Sequence, residues 1–196
     1  KEAKRTLSSL TKAIQDQSGE EFGYVVGEGF DPHIRNGYIY RLNSARMRST
    51  RSLHGLILPK LQPIGPNEKH LRDPLVIALE FELRSEHQNM AIVLVLVNFH
   101  LKSKHQGYQD PSGTDFELTR MQAAESIREA VLSEIEKMKG QNKSILMPVM
   151  LGDRNNHENS PTAAIMRGEL VLDNFHRGGP CRLDADEELD CRSEVS

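Results

Sequence analysis

The chain has 196 residues, with 25 basic and 28 acidic side chains and a formal net charge of −3. This length suits one domain or part of a larger one, and the charge excludes a histone-like polycation or a polybasic arm. No stretch approaches the ~20 apolar residues of a membrane helix, and residues 1–5 lack the apolar run of a signal peptide.

The first third of the chain predicts one helix and two strands. Apolar residues recur at helical spacing among charged residues in 1–17, which predicts a surface helix. Residues 22–26 and 37–42 predict short strands, because they are rich in aromatic and β-branched residues and a Gly/Pro-containing loop separates them.

Residues 43–52 are unusually rich in arginine and are predicted to form a polar loop. Arg46, Arg48 and Arg51 lie there among Asn, Ser and Thr. Two interpretations stay open at this point. The loop is either an ordinary solvated surface or a segment that contacts phosphate groups through its guanidinium groups.

The middle of the chain predicts a hairpin that leads into a central strand. Residues 75–83 alternate apolar and polar positions, which predicts a strand with one buried face. Residues 91–99 form a continuous apolar run, which predicts a strand buried on both faces.

The last third predicts alternating helices and strands. We expect a long amphipathic helix over 116–138, a buried strand over 144–151, a short helix over 161–167 and a last strand over 170–175. The order of these elements predicts an α/β protein with strands of mixed direction.

The end of the chain is acidic and contains the only two cysteines. Cys181 and Cys191 are close enough in sequence to form a disulfide, which would fit an extracytoplasmic, oxidising compartment. Two cysteines do not decide the compartment, so the location of the protein stays open.

Two predicted strand ends carry polar residues suited to chemistry. His100 ends the most buried strand, and Asp153 and Asn155 end the next one. If the helix over 116–138 connects two parallel strands, both ends meet at one edge of the sheet, where ligands of α/β sheets bind.

An imidazole, a carboxylate and an amide at one edge suit the hydrolysis of a phosphate ester. The imidazole can donate a proton, the carboxylate can orient water or hold a cation, and the amide can bind phosphoryl oxygens. Each residue also has a structural interpretation. His100 can be a satisfied strand-end group, and residues 152–155 can form a plain turn with side-chain-to-backbone hydrogen bonds.

Six short segments together resemble one known family. The chain resembles the endonuclease/exonuclease/phosphatase superfamily, which has the DNase-I-like fold, through Val-Asn-Phe-His-Leu-Lys-Ser (97–103), Arg-Met-Gln-Ala (120–123), Leu-Gly-Asp-Arg-Asn (151–155), Arg-Asp-Pro (72–74), Tyr-Ile-Tyr-Arg (38–41) and Ser-Pro-Thr-Ala (160–163).

The resemblance implies a two-sheet α/β sandwich with flanking helices and a mixed sheet over residues 1–178, followed by a tail at 179–196. It also implies a metal-dependent phosphoesterase that uses Mg²⁺, or Mn²⁺ or Ca²⁺. His100 would bind and polarise the phosphate, and Asp153 and Asn155 would orient the water, with Asp153 near a metal. Arg72 and Arg35 would contact or support the phosphate.

Two motifs of that family have no counterpart in these residues. They are the metal-binding Glu of a Gln-Glu strand before the first helix and the Ser-Asp-His motif that supplies a catalytic Asp and His. We expect the complete protein to encode both, outside residues 1–196.

The resemblance favours a nuclease that acts on DNA or RNA. Arg46, Arg48 and Arg51 occupy the region where such members place a loop that faces nucleic acid. The alternatives are a phosphatase or phosphodiesterase of a small or lipid phosphate ester, and a non-catalytic binding module with the same fold. The oligomeric state stays open.

Overall fold

A computed structural model of the chain describes residues 2–31, 33–53, 72–84, 89–104, 116–139, 144–171, 181–183 and 189–191. The helices are α1 (Glu2–Ser18), α2 (Glu117–Met138) and α3 (Pro161–Arg167). The strands are β1 (Phe22–Val26), β2 (Gly37–Arg41), β3 (Arg46–Ser52), β4 (Leu75–Arg84), β5 (Asn89–His100), β6 (Ser144–Asp153), β7 (Cys181–Leu183) and β8 (Leu189–Cys191). These elements confirm the predicted α/β class.

The chain divides into two compact units. The first consists of Lys1–Gly55, Leu71–Phe99 and Ala130–Gly152, and the second of Leu56–His70, His100–Glu129 and Asp153–Ser196. The predicted boundary at residue 178 lies outside the described residues.

The first unit contains a two-sheet sandwich. Its larger sheet has the order β3-β4-β5-β6, in which β3–β4 and β4–β5 are antiparallel. The antiparallel pair β1–β2 covers one face of this sheet, because Val25 and Tyr38 pack against a buried cluster that includes Leu75, Ile77 and Leu79. Helix α1 packs against β1 and β2. The predicted sandwich with a flanking helix is therefore present.

Burial of the central strands differs from the expected pattern. The first five residues of β4 are buried on both faces rather than one. Strand β5 alternates instead, since Val93, Val95 and Val97 are buried while Leu96 is only partly covered. Leu96 contacts the cluster beneath β1–β2.

Two segments of the first unit were predicted wrongly. Residues 46–52 form strand β3 rather than a loop, because pairing with β4 outweighs the weak strand preference of its polar residues. Strand β6 has the predicted position but is not buried. It is an edge of the four-stranded sheet in the part of the chain that is described, and Ile145, Met147 and Leu151 are exposed there.

The second unit holds the first half of α2, helix α3 and the pair β7–β8. Leu118, Met121 and Ala124 of α2 pack with Ile165 of α3 and with Leu170. Strands β7 and β8 form an antiparallel pair in which Cys181 lies opposite Cys191, in a tail predicted to lack strands. Among the described residues, no helix is long and apolar enough to cross a membrane.

Candidate active site

The carboxyl ends of β5 and β6 lie side by side. In the first unit, Gly152 approaches the carbonyl of Phe99, and in the second the backbone N–H of Leu101 donates to the carbonyl of Asp153 at 2.9 Å. Both strands therefore end at the same edge, so they run parallel with α2 between them in the chain. This arrangement is the predicted one.

Gly152 allows this close approach. Its φ of 152° is positive, and a Cβ built there would lie 2.9 Å from the carbonyl carbon of Phe99 and overlap with the carbonyl oxygen. Only glycine fits such a position without displacing a backbone. The glycine before Asp153 is thus required by the junction of the two strands.

His100 and Asp153 face each other at this edge. His100 Nε2 lies 3.7 Å from Asp153 Oδ2, and the two side chains are 27% and 59% exposed. The distance is slightly longer than a hydrogen bond, and both groups are open to solvent, so a ligand can reach them together. A distance of this length between an imidazole and a carboxylate can shorten when a ligand binds.

Asn155 stabilises the loop that follows β6 through two hydrogen bonds. Its backbone N–H donates to Asp153 Oδ1 at 2.8 Å, and its Nδ2 donates to the carbonyl of Leu101 at 3.0 Å. Its φ of 53° lies in the left-handed region, which asparagine tolerates better than most residues. The structural interpretation of this segment as a turn therefore holds, while Asp153 Oδ2 still faces His100.

Arg35 and Arg72 surround a buried aspartate of the first unit. Arg72 Nε lies 3.0 Å from Asp31 Oδ2, and Arg72 is 7% exposed. Arg35 donates to the carbonyls of Asp31 and Ile34. Both guanidinium groups thus support the loop before β2.

The pKa of Asp31 is lowered to about 2. Burial raises this pKa, but hydrogen bonds from the backbone N–H groups of His33 and Ile34 and the neighbouring Arg72 lower it by more. Asp31 therefore carries its charge across the physiological pH range, and its loop is fixed by charge-assisted hydrogen bonds.

Arg46 and Arg48 line a cavity of about 460 Å³ in the first unit, together with Glu80, Glu134 and Lys137. Arg48 is the extra residue of a β-bulge in β3 and pairs with Glu80 at 3.3 Å. The third arginine, Arg51, is exposed in the same strand. The predicted basic segment is thus a strand in which Glu80 neutralises the charge of Arg48.

The described residues contain no group of three or more His, Cys, Asp or Glu side chains placed to hold a metal ion. Asp153 fits Mg²⁺ as a single ligand, because its exposed carboxylate can supply one oxygen. Magnesium is commonly bound by one or two carboxylates together with water and phosphate oxygens.

Sequence reasoning overlooked Glu117, the first residue of α2. Its side chain is fully buried in the second unit, and it accepts hydrogen bonds from Arg120, Asn156 and Thr162. The sequence feature that could have indicated this ion pair is the spacing of Glu117 and Arg120, because residues i and i+3 share a helix face. A glutamate at a helix start is common, and only the fold shows that this one is buried.

No protein-family model and no curated protein sequence matches the chain. Solved structures similar to it include an endonuclease/exonuclease/phosphatase family protein of Bacteroides thetaiotaomicron, with 13% identity over 81% of this chain and 49% of that one and a TM-score of 0.45. Another is a mannosyl-6-phosphatase of the same organism, with 12% identity over 81% of this chain and 52% of that one and a TM-score of 0.46. A third is the human Nocturnin catalytic domain, with 12% identity over 90% of this chain and 56% of that one and a TM-score of 0.43.

The chain spans about half the length of these solved structures.

Proposed function

We propose that the protein is a phosphoesterase whose acid–base pair is His100 and Asp153. The observation that carries this proposal is the position of the two side chains, 3.7 Å apart and both accessible at adjoining strand ends. An imidazole facing a carboxylate provides a proton donor and a proton acceptor for one reaction.

In the proposed reaction a water oxygen attacks phosphorus while the bond to the ester oxygen breaks. Asp153 accepts the proton of the water, and the protonated imidazole of His100 gives its proton to the leaving oxygen. The products are a phosphate and an alcohol, so atoms and charges balance. A divalent cation held by Asp153 and by water would neutralise part of the phosphate charge when bound.

Within this class we propose a nuclease, with DNA or RNA as the substrate. The arginine-bearing strand β3 supports this proposal, because Arg46 and Arg51 are exposed and could bind backbone phosphates without reading sequence. A phosphatase of small or lipid phosphate esters is the alternative within the same chemistry.

A non-catalytic binding module is the alternative from another class. The observation that favours it is the use of Asn155, whose side-chain amide is already bonded to the carbonyl of Leu101. Such a module would bind phosphate esters or a partner protein without turnover.

The test measures release of product from plasmid DNA, RNA, p-nitrophenyl phosphate and bis-p-nitrophenyl phosphate, with Mg²⁺ and with EDTA. We expect Mg²⁺-dependent hydrolysis, and His100→Gln should reduce it by about a hundredfold or more. His157→Gln is the matched control, because His157 is exposed in the same unit and is not part of the pair. Equal rates for both variants would contradict the assignment, and binding without turnover would favour the module.

A further inference from the structure

Glu117 is a buried carboxylate with an unusually complete set of donors. Arg120 approaches its Oε2 through Nε and through a terminal guanidinium nitrogen, each at 2.9 Å. The Oε1 atom accepts from the backbone N–H of Thr162 at 3.1 Å and from the Thr162 hydroxyl at 2.8 Å. Asn156 donates its side-chain N–H to Oε2. We call these four residues the Glu117 cluster.

The Glu117 cluster connects the two segments that directly follow the proposed acid–base pair. Arg120 donates to the carbonyl of Lys102 at 3.3 Å, and Lys102 lies two residues after His100. On the other side, Asn156 lies three residues after Asp153. The Glu117 carboxylate thus contacts Asn156, in the segment after Asp153, directly. It contacts the segment after His100 through Arg120, which bonds the Lys102 carbonyl.

The cluster is balanced in charge. Glu117 and Arg120 are both fully buried and carry opposite charges, and Asn156 is neutral. A second carboxylate at position 156 would place two negative groups against one arginine. An uncharged residue at position 117 would remove the buried negative charge that lies 2.9 Å from this guanidinium group.

We propose that Glu117, together with Asn156, is a positioning residue that sets the distance between His100 and Asp153. This inference rests on the proposed function and adds to it the part of the chain that maintains the reacting geometry. Glu117, Arg120 and Thr162 are fully buried, so we expect the effect of the cluster to be on kcat rather than on KM. Displacement of a reacting group by about 1 Å can reduce a rate by about a hundredfold.

The test compares Glu117→Gln, Asn156→Asp and the double variant. Each single change unbalances the cluster, whereas the double variant restores one positive and one negative charge and lets the introduced amide donate to the introduced carboxylate. We expect each single variant to reduce kcat by roughly tenfold or more with KM nearly unchanged, and the double variant to recover most of that loss. Asn159→Asp is the control, because Asn159 is exposed in the same loop.

A purely structural role predicts a different result. In that case the melting temperatures would fall in the single variants, by about 10 °C for a broken buried ion pair, while kcat of the folded fraction would not change. That outcome would overturn the inference. Thr162→Val removes one donor and no charge, so it should fold and show a smaller loss of kcat even if the other single variants do not fold.

A third readout separates this inference from the proposed function. The backbone amide of Asn155, which bonds Asp153, reports the loop geometry by NMR without any turnover. If the wild-type protein hydrolyses no phosphate ester, the proposed function fails. The positioning inference then still predicts that the Asn155 amide signal shifts in Glu117→Gln, where the substituted residue is not a sequence neighbour, and an unmoved signal would overturn it.

Discussion

Asp153 serves two neighbours with its two carboxylate oxygens. Oδ1 accepts the backbone N–H of Asn155, which fixes the carboxylate, and Oδ2 faces His100. The turn and the proposed catalytic role are therefore compatible, because they use different atoms of one side chain. A carboxylate held by its own backbone loses little conformational entropy when it accepts a proton or a hydrogen bond.

Gly152 lies where the ends of β5 and β6 meet, and an added methyl group there should destabilise the contact between the two strands. Gly152→Ala should lower the free energy of unfolding by about 3 kcal/mol, because the new Cβ overlaps with the backbone of Phe99. Urea unfolding measures this change. Gly19→Ala is the control, since Gly19 also has a positive φ but no atom lies within 4 Å of the place its Cβ would take, and it should cost only about 1 kcal/mol. Equal losses in both variants would contradict the close packing of the two strands.

Asp31 should make the stability of the protein depend on acid pH. The pKa of Asp31 is about 2 in the folded protein and lies below the usual value of 3.8. The ionised Asp31 carboxylate therefore stabilises the folded protein fully when the pH is above 3.8, and this stabilisation is lost as the pH falls through about 2. Asp31→Asn should lower stability at pH 7 and flatten the decline between pH 4 and pH 2 in urea unfolding.

The control for this pH dependence is Asp16→Asn, because Asp16 is exposed on α1. It should keep the wild-type decline. A decline that is the same in Asp31→Asn and in Asp16→Asn would show that the ion pair of Asp31 with Arg72 is not its source.

At the scale of elements, the positions of helices and strands were predicted correctly where the apolar periodicity of the sequence agrees with the packing in the fold. Helix α2 and strand β4 lie within one or two residues of their predicted positions, because their apolar residues recur at the spacing of a helix and of a strand. It failed for β3, whose residues are polar and are held in a strand by pairing with β4. The burial of β6 was also wrong, since an apolar run has the same pattern at an edge as in the centre of a sheet.

The candidate site was predictable only in part for a similar reason. Polar residues at the ends of two predicted apolar strands place His100 and Asp153 at one edge. No local pattern shows that Asn155 bonds the carbonyl of Leu101, or that Glu117 is buried, because those contacts join segments 39 to 54 residues apart in the chain.

Helix α3 begins directly after the loop that follows Asp153, and its start is capped. Ser160 is the N-cap, and its side chain accepts from the N–H of Ala163. Ser160→Ala should cost about 1 kcal/mol, or about 2–4 °C in melting temperature, because one N–H at the helix start loses its acceptor. Ser133→Ala on the exposed face of α2 is the control and should leave the melting temperature nearly unchanged. A larger loss for Ser133→Ala than for Ser160→Ala would contradict the cap.

At the scale of the whole molecule, the fold brings together groups that are far apart in sequence. His100 and Asp153 meet because β5 and β6 are adjacent and parallel, and residues 105–143 between them include the connecting helix α2. The central claim is that these two side chains act as one acid–base unit in phosphate-ester hydrolysis. Residues that act as a unit show strongly non-additive effects when they are removed singly and together.

The most direct test is a double-mutant cycle on kcat/KM for the best phosphodiester substrate of the purified protein, with His100→Gln, Asp153→Asn and the double variant. The account predicts that each single variant loses about a hundredfold or more and that the double variant loses little beyond the larger single effect. Single-variant losses that multiply in the double variant, or variants as active as the wild type, would contradict it.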